Sequence, residues 1–170
     1  RITVSFIILI FLFVGLSAAE KSMPAKWWGN VHVNGEVSNG SLLVPYDAAS
    51  QNIIEDYENP AGDSTPDDGQ YVVNVWAEND TYIYFQYNSM VADQEPSLWQ
   101  QGNLTNLNIT ITDKDKDNFS VGYEGYNGTN RDCNDSNSNV YPGANETCDN
   151  KIDDDCDGDI DMNDTECMVC

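Results

Sequence analysis

From residue 27 to residue 33 the chain alternates in character. Trp27, Gly29, Val31 and Val33 share one parity, and Trp28, Asn30 and His32 the other. A period of two predicts a strand, and Asn34-Gly35 after it predicts a tight hairpin turn. Tyr71 to Trp76 predicts a second strand, ended by Glu78-Asn79-Asp80. Thr81 to Tyr87 (TYIYFQY) predicts a third, β-branched or aromatic at every position except Gln86. Leu107, Ile109 and Ile111 alternate with Asn108, Thr110 and Thr112, a half-buried strand with one wet face. Glu55 to Gln70 (EDYENPAGDSTPDDGQ) is too polar and too rich in Pro and Gly for a strand. No helical periodicity runs beyond two turns. Short strands with turn signals at this spacing predict a mainly β fold, a β-sandwich.

Two departures from that pattern divide the chain. Ile2 to Leu16 carries no charge, follows Arg1, and leads into Ser17-Ala18-Ala19. That profile predicts a signal peptide over 1–19, cleaved after Ala19, with an uncleaved N-terminal anchor as the alternative. Either way the remainder is expected outside the membrane, secreted or on the cell surface. The start at Arg1 rather than Met leads us to expect a piece of a longer chain. The second departure falls near Thr112. Residues 20–112 hold all four Trp, no Cys and 13 acidic residues, whereas 113–170 hold 16 acidic residues, all five Cys and six Leu, Ile, Val or Phe. The first segment can bury a core and the second hardly can, so the expected boundary lies between a sandwich at 20–112 and an Asp/Cys-rich module at 113–170.

Within the first segment, Trp28-Gly29-x-Val31-x-x-x-Gly35, Leu42 to Tyr46, Gly69-x-Tyr71 and the closing LNITIT strand resemble a carboxypeptidase-regulatory-like or transthyretin-like sandwich. That resemblance implies an Ig-like module without catalytic residues of its own.

The net charge of −22 changes the list of partners. It excludes phosphate-binding surfaces, hence nucleic acid, and docking on anionic lipid. Any membrane link would run through an uncleaved N-terminal segment. An acidic chain seeks cations, and here the carboxylates are spaced to hold them. Asp113, Asp115 and Asp117 stand at positions 1, 3 and 5 of a calcium loop, with Asn118 in the glycine place, the Phe119 carbonyl at 7 and Glu124 at 12. A second loop has Asp153, Asp155, Asp157, Asp159 and Asp161 at 1, 3, 5, 7 and 9, Gly158 at 6, and Asp164 at 12. Asp132, Asn134 and Asp135 form a third, looser cluster. Hard oxygen ligands favour Ca²⁺ or Mn²⁺ over zinc or copper, so two or more Ca²⁺ sites are expected. Residues 113–164 set 15 acidic groups against Lys114, Lys116, Arg131 and Lys151. Each carboxylate pair at 4 Å costs about 1 kcal/mol even at water's dielectric, and bound cations would remove that cost.

The run from Asp132 to Asp164 closely resembles the metal-binding motif of the MopE family. The matching residues are Asp132, Cys133, Asp135, Tyr141-Pro142-Gly143-Ala144, Glu146, Cys148, Asp149, Asp153, Asp155, Cys156, Asp157, Gly158 and Asp161; Asn134 and Asp154 depart from it but keep an oxygen. The resemblance implies disulfide-stapled, calcium-bound extracellular modules akin to thrombospondin type-3 repeats. Read as disulfides, Cys133, Cys148 and Cys156 staple the loops, with one pairing to Cys167 or Cys170. Read as metal ligands, Cys167 and Cys170 make half a zinc site.

Catalysis finds little footing. His32 is the one histidine, so Ser- and Cys-type triads lack their usual base, and no G-x-S-x-G, P-loop or dinucleotide fingerprint occurs. A non-enzymatic role is expected: a calcium-binding structural or adhesion protein with a protein or glycan surface partner. Nine Asn-x-Ser/Thr sequons after the leader fit a glycoprotein. The alternative is a carbohydrate-binding module, with Trp27, Trp28, Trp76 and Trp99 stacking on sugar and the acidic tail as spacer.

Overall fold

The computed structural model describes residues 23–38, 43–58 and 70–168. The leader at 1–19, the sequon at Asn39, Leu42, Gly69, most of the 55–70 loop and Cys170 lie outside the described residues. The described chain is mainly β, as expected, with two single 3-10 turns near its end. Among the described residues no helix is long and apolar enough to cross a membrane.

Among the described residues ten strands form two sheets: β1 (Ala25–Val33), β2 (Glu36–Val37), β3 (Leu43–Asp47), β4 (Tyr57–Glu58), β5 (Gln70–Val75), β6 (Tyr82–Tyr87), β7 (Met90–Val91), β8 (Ser97–Leu98), β9 (Leu104–Asn106) and β10 (Ile109–Ile111). The first sheet centres on β1. It runs antiparallel to β5, from Ala25 opposite Val75 to Asn30 opposite Gln70, and β4 extends the sheet beyond β5. On its other edge β1 pairs in parallel with β9 and then β10. β2 folds back on it through Asn34-Gly35, both left-handed (φ 52° and 82°) as the expected tight turn requires. The second sheet centres on β6, antiparallel to β3, β7 and β8.

Gly29 sits where β9 gives way to β10. A Cβ there would stand 2.2 Å from the Leu107 carbonyl oxygen. That oxygen accepts the Tyr71 hydroxyl at 2.6 Å, while the Leu107 N–H donates to the Trp28 carbonyl at 2.9 Å. The absence of a side chain lets the neighbouring backbone close onto β1.

The sheets face each other across one core. Trp27 and Val31 of β1, Tyr71, Val73 and Val75 of β5, Ile83, Phe85 and Tyr87 of β6, and Ile109 and Ile111 of β10 are all buried in it. Trp27 meets the Phe85 ring edge-on at 5.8 Å between centroids, joining the two layers. Trp99 lies in the same core and donates its Nε1–H to the Val75 carbonyl at 2.8 Å. Along β1 burial alternates with the parity the sequence predicted, and Trp28 is exposed on the outer face.

β6 is buried on both faces. Ile83, Phe85 and Tyr87 face the core, whereas Tyr84 belongs to a second cluster with Val91 and Tyr126, flanked by Tyr46 and Tyr123. The outer cover comes from the segment after Asp113. The Ser120 hydroxyl donates to the Val91 carbonyl and accepts the Val91 N–H. Tyr123 and Tyr126 each lie 5.7 Å from the Tyr84 ring. The Asn130 amide donates to the Ser89 carbonyl at 2.8 Å. This explains why the 81–87 run lacks polar alternation: a strand covered on both sides has no wet face.

Candidate metal centre

The first calcium-type loop leaves β10 and is tied at once to the turn after β1. The Asn34 side chain donates to the Asp113 carbonyl at 2.6 Å and accepts the Asp113 N–H at 2.9 Å. Buried Asp113 then organises the loop, its two oxygens accepting the N–H groups of Lys116 and Asn118. Asp117 accepts the Phe119 N–H at 2.8 Å. Lys116 and Asn118 take left-handed backbone (φ 67° and 74°), which coils the chain around a common centre. Asp113, Asp115 and Asp117 thereby each bring a carboxylate oxygen within 4.8 Å of the others.

The second loop repeats this local construction. Asp153 at position 1 accepts the N–H of Gly158 at position 6, as Asp113 does from Asn118. Asp157 at position 5 accepts the N–H of Asp159 at position 7, as Asp117 does from Phe119. Positions 4 and 6 are again left-handed, at Cys156 (φ 61°) and Gly158 (φ 100°). Asp153, Asp155 and Asp157 converge within 4.8 Å.

The loops close differently. In the second, Asp164 at position 12 converges with Asp155, and Glu146 joins them from outside the loop. Glu146 is held by the N–H groups of Asp154 and Asp161, at 2.9 and 2.7 Å. In the first, Glu124 is exposed and lies outside the clusters, and the closing carboxylates come from further along, where Asp132 and Asp135 converge with Asp115. A bridge between Ser120 and Arg131, with the Asp132 N–H donating to the Ser120 carbonyl at 3.0 Å, brings that stretch under the loop. The cluster at 132–135 is therefore the far side of the first one rather than a separate third.

Among the described residues six carboxylate oxygens are buried without a hydrogen-bond donor: both of Asp115, and one each of Asp117, Asp132, Asp153 and Asp164. Every one belongs to a residue of these clusters. Buried anionic oxygens that face one another without donors are costly, and a cation among them removes the cost. Burial pushes the Asp132 carboxyl up to about 6, helped by the charges of Asp117, Asp115 and Asp135, against the opposing hydrogen bond from Asn134 N–H. Burial raises Asp117 and Asp155 as well. Lys114 pairs with Asp135 at 3.0 Å from an exposed position. Among the described residues no His or Cys joins these clusters, so the side chains that meet in them are carboxylates, a hard oxygen set able to hold a metal ion.

Among the described residues two disulfides staple these clusters. Cys133, next to Asp132, is bonded to Cys156 between Asp155 and Asp157. Cys148 is bonded to Cys167, near Glu146 and Asp164 respectively. Of the open pairings, Cys167 is the partner used among the described residues, and the half zinc site at Cys167 and Cys170 loses that thiol.

Of the expected ligands, Asp113, Asp115, Asp117, Asp132, Asp135, Asp153, Asp155, Asp157 and Asp164 fall in the clusters. Asp159 and Asp161 lie outside them, Asp159 exposed and Asp161 accepting the Lys151 N–H, and the Asn134 amide is exposed. The Phe119 ring stacks on Tyr141 at 5.4 Å. Glu146 was not among the expected ligands, although its place in the Pro-Gly-Ala-x-Glu-x-Cys stretch was a signal that could have found it. Of the four Trp proposed as a sugar platform, Trp27 and Trp99 are core residues.

No curated protein and no solved structure matches the chain. Residues 132–162 match the Cu-binding MopE family model, described as "Putative metal-binding motif"; within this stretch lie both halves of the Cys133–Cys156 disulfide and most of the second cluster.

Proposed function

We propose that this protein is a secreted or cell-surface calcium-binding structural protein, whose Asp-rich tail at 113–170 is ordered by Ca²⁺ and serves adhesion rather than catalysis. One observation carries this reading: fully buried Asp132 and Asp164 each turn an oxygen without a hydrogen-bond donor into a cluster of further carboxylates. Calcium suits these positions because it accepts six to eight oxygens in flexible geometry. The name of the matched family mentions copper, which prefers imidazole or sulfur donors that these clusters lack. Disulfides persist in oxidising compartments, so the two bonds support an extracellular location. The sandwich, of transthyretin-like kind by resemblance, would be the rigid body that calcium-bound loops hold toward a protein or glycan partner.

Calorimetric titration of the oxidised chain after EGTA treatment tests this reading, with Ca²⁺, Mg²⁺, Zn²⁺ and Cu²⁺ run in parallel. Two Ca²⁺ bound, with Kd about 10⁻⁴ to 10⁻³ M as in extracellular modules, is the expected result. Tight Cu²⁺ binding without Ca²⁺ binding would overturn the calcium assignment.

A further inference from the structure

The two halves of the first cluster lie on opposite ends of one covering segment. Asp113, Asp115 and Asp117 stand before it, on the loop tied to Asn34 of the sandwich. Asp132 and Asp135 stand after it, at the start of the stretch that matches the family model. Between them runs the chain that carries Ser120, Tyr123, Tyr126 and Asn130 over the outer face of β6 and β7. Asp115 belongs to both halves, and both its oxygens are buried without donors. Asp132 is fully buried, with one oxygen on the Asn134 N–H and the other without a donor. Joining two carboxylate groups across a segment of this length needs something to offset their repulsion and the entropy of closing the loop. The links across the joint other than a cation are the Asp132 N–H to Ser120 bond, the Ser120–Arg131 bridge, the Phe119 ring on Tyr141, and the Lys114 N–H and ammonium on Asp135 at 2.7 and 3.0 Å, and none of them reaches the donorless oxygens of Asp115 and Asp132.

Resting on the cation-binding reading above, we propose that the first site is a clasp. The matched motif cannot complete it without Asp113, Asp115 and Asp117, and the divalent cation it takes locks the 118–131 cover over the Tyr46–Tyr84 face. Filling the site fastens the sandwich to the motif, and emptying it frees the cover and bares an apolar surface made of the Tyr46 and Tyr84 rings and Val91. The second site has no such role, because its ligands lie between Glu146 and Asp164, beyond the cover.

The test is hydrogen exchange on the full oxidised chain, read peptide by peptide with and without Ca²⁺, for the parent, Asp115→Asn, Asp117→Asn and Asp157→Asn. Calorimetry on the same samples reports the cations bound. Ca²⁺ is expected to slow exchange in 119–131 and 84–91 by about tenfold or more in the parent and in Asp157→Asn, and not in the two first-site variants. Unchanged slow exchange in β1 and β5 shows that each variant keeps its sandwich. Calcium bound without any change in the cover overturns the clasp and leaves the calcium reading standing. Equal loss of cover protection in Asp157→Asn also overturns it. No cation bound to the parent overturns both.

Discussion

Asp132 and Asp164 occupy equivalent places in the two clusters. Each is fully buried, each accepts with one oxygen the N–H two residues ahead, from Asn134 at 2.7 Å and from Glu166 at 2.5 Å, and each leaves its other oxygen without a donor. The shared construction predicts a shared effect. Asp132→Asn and Asp164→Asn keep the side chain's shape and its bond to the N–H but remove the charge. Each should lower the calorimetric stoichiometry by one cation or weaken one site by at least about tenfold, as loss of a hard charged ligand does. Two variants that abolish the same single site would disprove the equivalence.

The Cys148–Cys167 bond holds the Glu146 side of the second site to its Asp164 side. With both cysteines changed to Ser, the second site should weaken by about tenfold, the range seen when the support of a metal ligand is lost. The first site should keep its affinity. Calcium titration of the double variant decides between this and a uniform loss.

Gly29 and Gly35 should answer substitution differently. A methyl group at Gly29 would collide with the Leu107 carbonyl, and backbone there cannot yield without breaking the Tyr71 hydrogen bond. Gly29→Ala should cost about 1–3 kcal/mol or more in denaturant unfolding, the range for overpacking. Gly35 has open space around it and a left-handed backbone (φ 82°), so Gly35→Asn should be nearly neutral.

Burial raises the hydroxyl pKa of Tyr71 and Tyr126, the strongest cases, and of Tyr46, Tyr84 and Tyr123. A folded-state pKa above the unfolded value means that the folded chain holds the proton more tightly. The stability this contributes is complete below pH 10, the ordinary value, and is lost as pH rises through the folded values. Alkaline titration followed by tyrosinate absorbance should therefore leave at least Tyr71 and Tyr126 un-ionised until the fold opens. Full ionisation of all nine tyrosines near pH 10 with circular dichroism unchanged would contradict the buried cover.

Much of this molecule is written in local pattern. The parity of Trp27, Val31 and Val33, the Asn34-Gly35 turn and the β-branched run at 81–87 determine strands and turns, because alternation and left-handed propensity act within a few residues. The same holds for the loop interiors: Asp113-x-Asp115-x-Asp117 and Asp153-x-Asp155-x-Asp157 coil because Asp113, Asp117, Asp153 and Asp157 cap N–H groups two to five residues ahead. What closes each loop is decided at a distance. Glu124 has the right spacing for the first site, yet the covering segment packs Tyr123 and Tyr126 onto Tyr84 and carries Glu124 into solvent, while the Ser120–Arg131 bridge delivers Asp132 in its place. Glu146 reaches the second site from outside its loop, held by the N–H groups of Asp154 and Asp161. Spacing alone pointed to most of the carboxylates that could hold a cation, though not to Glu146. Which carboxylates meet was decided by packing against the second sheet and by two disulfides, because contacts between distant segments depend on the whole fold rather than on neighbouring residues.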